Sequence, residues 1–219
     1  MGFYFLTFAN NKMTNYVRGG CMRKNLPQEQ LDQLNKLKEN QEAASKGWVD
    51  YWLDFSSFDT WQFWVNVSFI IIPLIVLYFI IDKKRVFLLG FFGFNIHVWM
   101  VYTDAIGTRY NFFEYPYKAI PFLPIHVGID TSLVPVIFIL LYQWILNNNK
   151  NFYLYNFGLI VFLSFVFKPI LVAHHLFHLK NGANYLYIFL LYVFVVLFSR
   201  LITNVFLYLN SKAKVSEAD

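Results

Sequence analysis

The chain has 219 residues, of which 58% are hydrophobic, 21% aromatic and only 14% charged, whereas about a quarter of the residues in a soluble domain are charged. This composition excludes a large water-soluble core and indicates a membrane protein. The formal net charge of +5 does not indicate nucleic-acid binding, because the basic residues are scattered between apolar segments. The single Cys21 excludes an intrachain disulfide and a CxxC motif.

The first residues of the chain do not resemble a secretory signal. MGFYFLTFAN is apolar, but no basic region precedes it and no small-residue cleavage site follows it. The sequence RGGCM at 18 to 22 is what a purine-rich ribosome-binding site encodes when it is translated in frame. We therefore expect residues 1 to 21 to be a misassigned leader or a disordered segment, with translation starting at Met22.

Residues 22 to 60 are predicted to form an extramembrane segment with an interfacial helix. Residues 26 to 46 are rich in helix formers, stop at Gly47 and carry only a thin stripe of leucines, which favours a solvated helix over a partner-binding one. The aromatic residues that follow share one helical face, and such rings settle at the headgroup level of a bilayer. They are Trp48, Tyr51, Trp52 and Phe55.

Five apolar runs of about the length that crosses a bilayer as a helix follow. Their predicted bounds are 61 to 81, 86 to 106, 132 to 146, 152 to 173 and 185 to 209. The predicted fold class is therefore all-α: an integral membrane helical bundle at residues 61 to 209 with an N-terminal amphipathic helix, and a disordered tail at 210 to 219. The odd number of spans disfavours a simple inverted-repeat transporter.

Basic residues in the short loops predict the orientation of the bundle. The denser set is Lys83, Lys84, Arg85, Lys150, Lys212 and Lys214, and the sparser set on the other side is Lys46, Arg109, Lys118 and Lys180. The positive-inside rule places the denser set in the cytoplasm. We therefore expect a multi-pass protein of the cell membrane with its N-terminus outside and its C-terminus in the cytoplasm.

Charged residues are rare within the predicted spans, and each costs about 2.5 to 3.5 kcal/mol at a helix centre. Asp104 is the only acid inside the predicted bounds, and Lys168 and Arg200 are the bases. His97 lies two turns from Asp104 on the same helical face, and Asn95 is also polar. Asp104 and Lys168 fall at similar depth, which favours a structural ion pair; a proton- or substrate-linked carboxylate and snorkelling to the interface are the alternatives.

The segment from Gly107 to Thr131 is rich in proline and aromatic residues. Non-helical backbone at membrane depth is tolerated only against protein or a water-filled cavity, so we expect an ordered cap or re-entrant segment at the outer face. Asp130, Thr131 or Ser132 can cap the third span, and capping is the preferred interpretation of Asp130. Pro169 predicts a kink in the fourth span. The polar residues predict one cluster in the outer half of the bundle: Asn95, His97, Asp104, Arg109, Asp130 and Lys168.

The stretch HHLFH places His174 and His178 four residues apart, a spacing that metal sites use. The chain has 5 histidines, too few for the several histidine boxes of a di-iron oxygenase. A zinc site from His174, His178 and His126 is a weak candidate beside the commoner interpretation, interfacial histidines. We predict no metal and no cofactor.

Several motifs, in order along the chain, resemble those of an uncharacterised family of small multi-pass membrane proteins of endospore-forming bacteria. They are WVDYW, TWQFW, DKKR, DAIG, YPYKAIPFLP, DTSLVPVIFILLYQW and a late KP. The resemblance covers residues 48 to 169 and extends loosely over the fifth span. It implies a bacterial cell-membrane location and an all-helical fold, and it brings no established activity. Where this chain has Lys168, the family commonly has an acidic residue.

Three functions are compatible with the sequence. The first is a non-enzymatic sensor, assembly or envelope component of the cell membrane, whose outer loop contacts a ligand or partner. The second is a small proton- or ion-coupled transporter that uses Asp104 and His97. The third, an intramembrane enzyme, is disfavoured because no nucleophile stands beside a base. The expected partners are the lipid bilayer and either another protein or a second copy of the chain, and no nucleic acid.

Overall fold

The computed structural model describes residues 26 to 216, with side chains as far as residue 213. The expectations for residues 1 to 21 and for Met22 as the first residue fall outside the described residues. The helices are Gln28–Phe55, Trp61–Ile80, Val86–Arg109, Val134–Asn147, Phe152–Phe162, Lys168–Ala173 and Tyr185–Ser216. Two π-helical turns, Val127–Leu133 and Leu163–Phe167, and two short strands, Phe113–Glu114 and His178–Leu179, complete the described structure.

Five helical segments are long and apolar enough to cross a membrane. In chain order the first to fifth spans are Trp61–Ile80, Val86–Arg109, Val127–Asn147, Phe152–Ala173 and Tyr185–Ala213. The all-α prediction is confirmed, and the chain is a multi-pass membrane protein. The third span starts earlier than the predicted residue 132, and the last helix continues to Ser216, so the predicted disordered tail is instead helical at residues 210 to 216.

Residues 26 to 47 are the described part of a separate structural unit. Residues 28 to 47 lie in the first helix, Gln28–Phe55, and the side chains of residues 26 to 47 are exposed apart from half-buried Leu31. The predicted helix end at Gly47 is wrong, because the helix continues through this glycine to Phe55. A glycine inside a helix costs about 1 kcal/mol relative to alanine, which is too little to end a helix that the flanking residues favour.

The third span is the most buried of the five. Of its most apolar stretch 61% is buried, against 17% for the first span. The third span contacts the first, second and fourth spans, and the fifth span packs against the second and fourth. Ile129, Phe138 and Val195 are among the fully buried residues of this core.

We call residues 110 to 126, which join the second and third spans, the cap. Its strand Phe113–Glu114 pairs antiparallel with His178–Leu179, from the loop between the fourth and fifth spans. The Glu114 carboxylate lies 2.7 Å from the Lys180 ammonium and 3.6 Å from the His178 ring. Gly107 of the second span allows the Phe113 ring of this strand to pack directly against the helix, because a Cβ at position 107 would lie 2.0 Å from the ring. We call this end of the bundle the cap end.

Each π-helical turn is followed by a proline, Pro135 or Pro169, in the first turn of the next helix. A proline has no N–H to donate to the carbonyl four residues before it, so the α-helical pattern is interrupted and a wider turn is tolerated. The distortion expected at Pro169 takes this form, with the Lys168 N–H bonded to the Leu163 carbonyl. Such turns occur frequently at functional sites, and here they carry or adjoin two charged residues, Asp130 and Lys168.

Candidate functional site

Asp104 lies in the last turns of the second span, where the cap covers it. Its side chain is only 4% exposed. The Tyr115 hydroxyl donates to Oδ1 at 2.7 Å, and the backbone N–H of His126 donates to Oδ2 at 2.8 Å. Both donors belong to the cap, so each carboxylate oxygen of Asp104 fixes a different part of the cap to the second span.

Asp130 and Lys168 reach the same place from the third and fourth spans. Both are buried, and Asp130 Oδ2 lies 3.5 Å from the Tyr115 hydroxyl. The Lys168 ammonium lies 4.2 Å from the centre of the Phe177 ring and 5.5 Å from that of Tyr115. Among the described residues Lys168 makes no direct ion pair with either acid. The expected Asp104–Lys168 contact pair is therefore replaced by a shared site.

The charges of this site balance when one proton is shared between its acids. The Asp104 and Asp130 carboxyl groups both lie within 3.5 Å of the Tyr115 hydroxyl, and two adjacent buried negative charges repel strongly. With one proton between them, the acids and the Lys168 ammonium together are neutral. Neutrality matters because an uncompensated buried charge costs several kcal/mol.

His126 continues the site toward the first span. Its Nε2 lies 2.9 Å from Asn66 Oδ1, and its Nδ1 accepts the Ile129 N–H at 3.1 Å. The Asn66 amide in turn donates to the Tyr117 carbonyl at 3.0 Å. Because Nδ1 accepts, Nε2 carries the proton and the ring is neutral. Burial, with the positive charges of Lys168 and Lys118, lowers the pKa of His126 to about 3.

A second attachment holds the cap on its other side. The Trp52 indole donates to the Lys118 carbonyl at 2.8 Å, and the Ser56 hydroxyl accepts the Lys118 N–H at 3.0 Å. The Lys118 ammonium donates to the Leu123 carbonyl at 3.3 Å and lies 4.6 Å from the centre of the Trp48 ring. Burial lowers the pKa of Lys118. The aromatic face predicted to sit at the interface thus also contacts the cap.

A small cavity of about 20 Å³ lies between the side chains of Asp104, Asp130 and Lys168. Its polar lining residues are Thr103, Asp104, Tyr115, Asp130, Lys168 and Tyr192. A volume of this size holds about one water molecule. The buried Tyr192 hydroxyl has no hydrogen-bond partner among the described residues, so a single water here would satisfy it. We call Asp104, Tyr115, His126, Asp130, Lys168 and Tyr192 the polar cluster.

Three residues predicted for the cluster lie elsewhere. The Asn95 amide donates to the Phe91 carbonyl of its own helix at 2.8 Å, and Arg109 is exposed. The His97 Nδ1 lies 3.0 Å from the Thr131 carbonyl, the group to which the missing N–H of Pro135 would donate in an α-helix. His97 therefore satisfies a carbonyl that the proline leaves free, and it does not line the cavity beside Asp104.

Asp130 also differs from its prediction. His126, rather than Asp130, caps the third span, because its ring accepts the Ile129 N–H. Asp130 lies inside the π-helical turn that follows, with its side chain buried in the polar cluster. The predicted capping role is wrong, and the third span contributes a second buried acid to the bundle.

The histidines proposed as weak zinc ligands are dispersed. The His174 ring packs edge-on against Trp61, His178 lies beside Glu114, and both ring nitrogens of His126 are already engaged. Within residues 26 to 216, no three side chains of the types that ligate metals converge on one point. His126 could bind a metal only by giving up its contacts to Asn66 or Ile129.

Sequence reasoning missed Tyr115, Tyr192 and the structural role of His126. Asn66 offered one available signal, since it is a polar residue inside the first span and a buried amide requires a partner. Tyr192 offered little, because a tyrosine within an apolar span resembles a packing residue. Comparison with protein-family models, with curated proteins and with solved structures finds no match.

Proposed function

We propose that the protein is a non-enzymatic component of the bacterial cell membrane, and that its cap is an ordered outer surface for a protein partner. The use of both Asp104 oxygens to hold the cap, through Tyr115 and His126, carries this proposal. A transport carboxylate must exchange its partners with water or substrate. The one here is committed to fixed donors on the cap.

The size of the cavity supports the same conclusion. A proton- or ion-coupled transporter needs a wet path to its carboxylate, whereas the cavity at Asp104 holds about one water. His97, the other residue of the transporter hypothesis, is bonded to the Thr131 carbonyl instead. These observations favour a packed, structural cluster over a transport site.

The surface of the cap is suited to protein contact. Phe122 is 68% exposed between Pro121 and Pro124. Prolines restrict the backbone, and a large aromatic side chain on a rigid support is a common anchor of protein interfaces. In the orientation that the loop charges favour, this surface lies outside the cell. The resemblance to the family from endospore-forming bacteria supports the cell-membrane location, and membership of that family is part of the proposal.

Cysteine accessibility tests the proposal against the transporter alternative. In a Cys21→Ser background, Met100→Cys and Thr103→Cys each place a thiol at the cavity, and Phe122→Cys places one on the cap. We expect a membrane-impermeant maleimide to modify the cap cysteine in intact cells and to leave the other two unmodified. Rapid modification at position 100 would show a water path to the small cavity and contradict the proposal.

Site-specific crosslinking tests the partner. A photoreactive amino acid in place of Phe122 should give one discrete protein adduct in the native membrane. The matched control replaces Phe157, which is 55% exposed on the fourth span, and should give only lipid adducts. Asp104→Ala should abolish the Phe122 adduct, because it releases the cap. Lipid adducts alone at Phe122 would contradict a protein partner.

A further inference from the structure

A second, much larger cavity lies beside the polar cluster, and neither Asp104 nor His126 lines it. Its volume is about 390 Å³, within the range of ligand pockets, roughly 300 to 1,000 Å³. The second span, the cap, the loop before the fifth span and the fifth span itself form its walls. Apolar side chains dominate the lining, so its occupant must be apolar.

The cavity opens sideways, through the surface that faces lipid. Ile106, Tyr187 and Leu190 form its rim and are each more than half exposed, whereas Phe113 and Ile188 form its floor and are buried. The rim residues of the helices lie inside the second and fifth spans. The medium at this opening is therefore bilayer, and an acyl chain is the apolar molecule that the bilayer supplies.

Arg109 supplies a positive charge next to the opening of the cavity, on the side of the membrane surface. Arg109 follows Ile106 by three residues and therefore lies on the same helical face, one turn closer to the membrane surface. Its side chain is exposed and makes no ion pair among the described residues. The nearby Lys180 is already paired with Glu114. Arg109 is thus placed to meet the phosphate of a lipid whose chain enters the cavity, and guanidinium groups bind phosphate with paired hydrogen bonds.

We propose that this cavity binds one acyl chain of an anionic phospholipid, with Arg109 contacting the lipid phosphate. The cavity uses the cap as a wall but does not use the polar contacts of Asp104 and His126 that attach the cap. The lipid would be held in a defined place rather than exchanging freely along the bundle surface.

Photocrosslinking in a bilayer tests the acyl-chain site. The full chain is reconstituted into phosphatidylcholine vesicles that contain a minor fraction of phosphatidylglycerol with a photoreactive group at the end of one acyl chain. Mass spectrometry should place the adducts on Ile106, Leu190 and Leu191. Similarly apolar, exposed positions of the first span, Ile71 and Ile75, should carry about tenfold fewer, as expected for a preference of about 1.4 kcal/mol. An even distribution would show only annular lipid and overturn the proposal.

Filling the cavity should remove the adducts. Ala183→Trp places a large ring inside it, and Ala173→Trp places the same ring on an exposed position outside it. We expect the first variant to lose adducts about tenfold and the second to keep them. If Ala183→Trp does not fold, Ile106→Trp at the lipid-facing rim serves instead. Unchanged labelling in a folded, filled variant would overturn the site.

Arg109→Gln tests the headgroup contact. The variant should label equally with phosphatidylglycerol and phosphatidylcholine probes at the cavity, whereas the native chain should prefer phosphatidylglycerol. Excess inorganic phosphate should not displace the probe, because the chain supplies much of the binding. Competition by phosphate alone, or an unaltered lipid preference in the variant, would overturn the assignment of an anionic phospholipid to this site.

Discussion

Two cations, Lys168 and Arg200, lie within the spans away from the span ends, and the bundle accommodates them in different ways. Lys168, at the cap end, is 3% exposed and shares its site with two acids. Arg200, toward the other end of the bundle, is half-buried. Its guanidinium donates to the Tyr142 hydroxyl and lies 4.7 Å from the centre of the Phe152 ring. One cation is enclosed and compensated by acids, and the other is supported by aromatic rings.

The difference explains why two acids, Asp104 and Asp130, lie beside Lys168, whereas Arg200 is supported by aromatic rings. A half-buried guanidinium keeps part of its hydration and gains from ring faces. An enclosed ammonium has lost its water and requires negative charge. Asp104 and Asp130 supply that charge, and the same carboxyl groups hold the cap. Charge compensation and attachment of the cap are therefore one device, which the following predictions separate.

Asp104→Ala should have the largest effect. It leaves the Tyr115 hydroxyl and the His126 N–H without their acceptor and weakens the compensation of Lys168. Breaking a buried charge interaction of this kind costs about 3 to 5 kcal/mol. Thermal unfolding in detergent, together with hydrogen exchange of the cap, would measure the loss. Asp82→Ala, at the opposite end, is the control. If the cap amides of Asp104→Ala were as protected from hydrogen exchange as those of the native chain, the attachment of the cap through Asp104 would be refuted.

Lys168→Met should cost somewhat less, about 2 kcal/mol, because the two acids can take up a second proton once the ammonium is gone. In the Asp104→Asn background the same change should cost about 1 kcal/mol less than it does alone, since the two groups share one cavity. Strictly additive free energies of unfolding in this cycle would mean that the ammonium and the carboxylate do not interact.

Acid should loosen the cap through His126. The pKa of the buried ring is lowered to about 3, whereas a histidine in an opened cap titrates near pH 6.5. Between these values the open state binds a proton that the closed state does not. The closed cap is therefore fully stable at about pH 8 and loses about 2 kcal/mol as the pH falls to about 5.

The Ile129 N–H donates to the His126 ring. Hydrogen exchange of this amide measures the opening after correction for the intrinsic exchange rate. His126→Gln removes the titrating ring and keeps a polar side chain. The variant should be less stable at neutral pH, and its protection should vary less with pH. An equally steep pH dependence in the variant would assign the effect to other groups, such as Glu114.

Hydropathy was sufficient to predict the fold class, because bilayer thickness sets the length of each span. The bounds that local chemistry sets were misplaced. The third span begins with a π-helical turn at Val127, and the first helix continues through Gly47, and no hydrophobic period reveals either. The sequence predicted Asp130 both as a cap of the third span and as a member of the polar cluster. The structure keeps it in the cluster, inside the π-helical turn, and gives the cap position to His126.

The candidate site was predicted less completely, for a reason that His97 illustrates. Helical periodicity correctly places His97 and Asp104 on one face, but it does not say which neighbour each side chain meets. The carbonyl left free ahead of Pro135 engages His97, and the cap engages Asp104. Tyr115 and the His126 N–H belong to an irregular segment, whose contacts depend on tertiary packing rather than on a repeating pattern.

Arg200→Met should have the smallest effect, below about 1 kcal/mol. The guanidinium is half-buried, and its support from Tyr142 and Phe152 is replaced in part by the apolar contacts of methionine. Thermal unfolding in the same detergent allows a direct comparison with Lys168→Met, since both changes introduce the same side chain within a span. If Arg200→Met costs as much as Lys168→Met, depth in the membrane rather than compensation by acids determines the cost of these cations. A clear difference would show that the two acids at the cap end make Lys168 indispensable there.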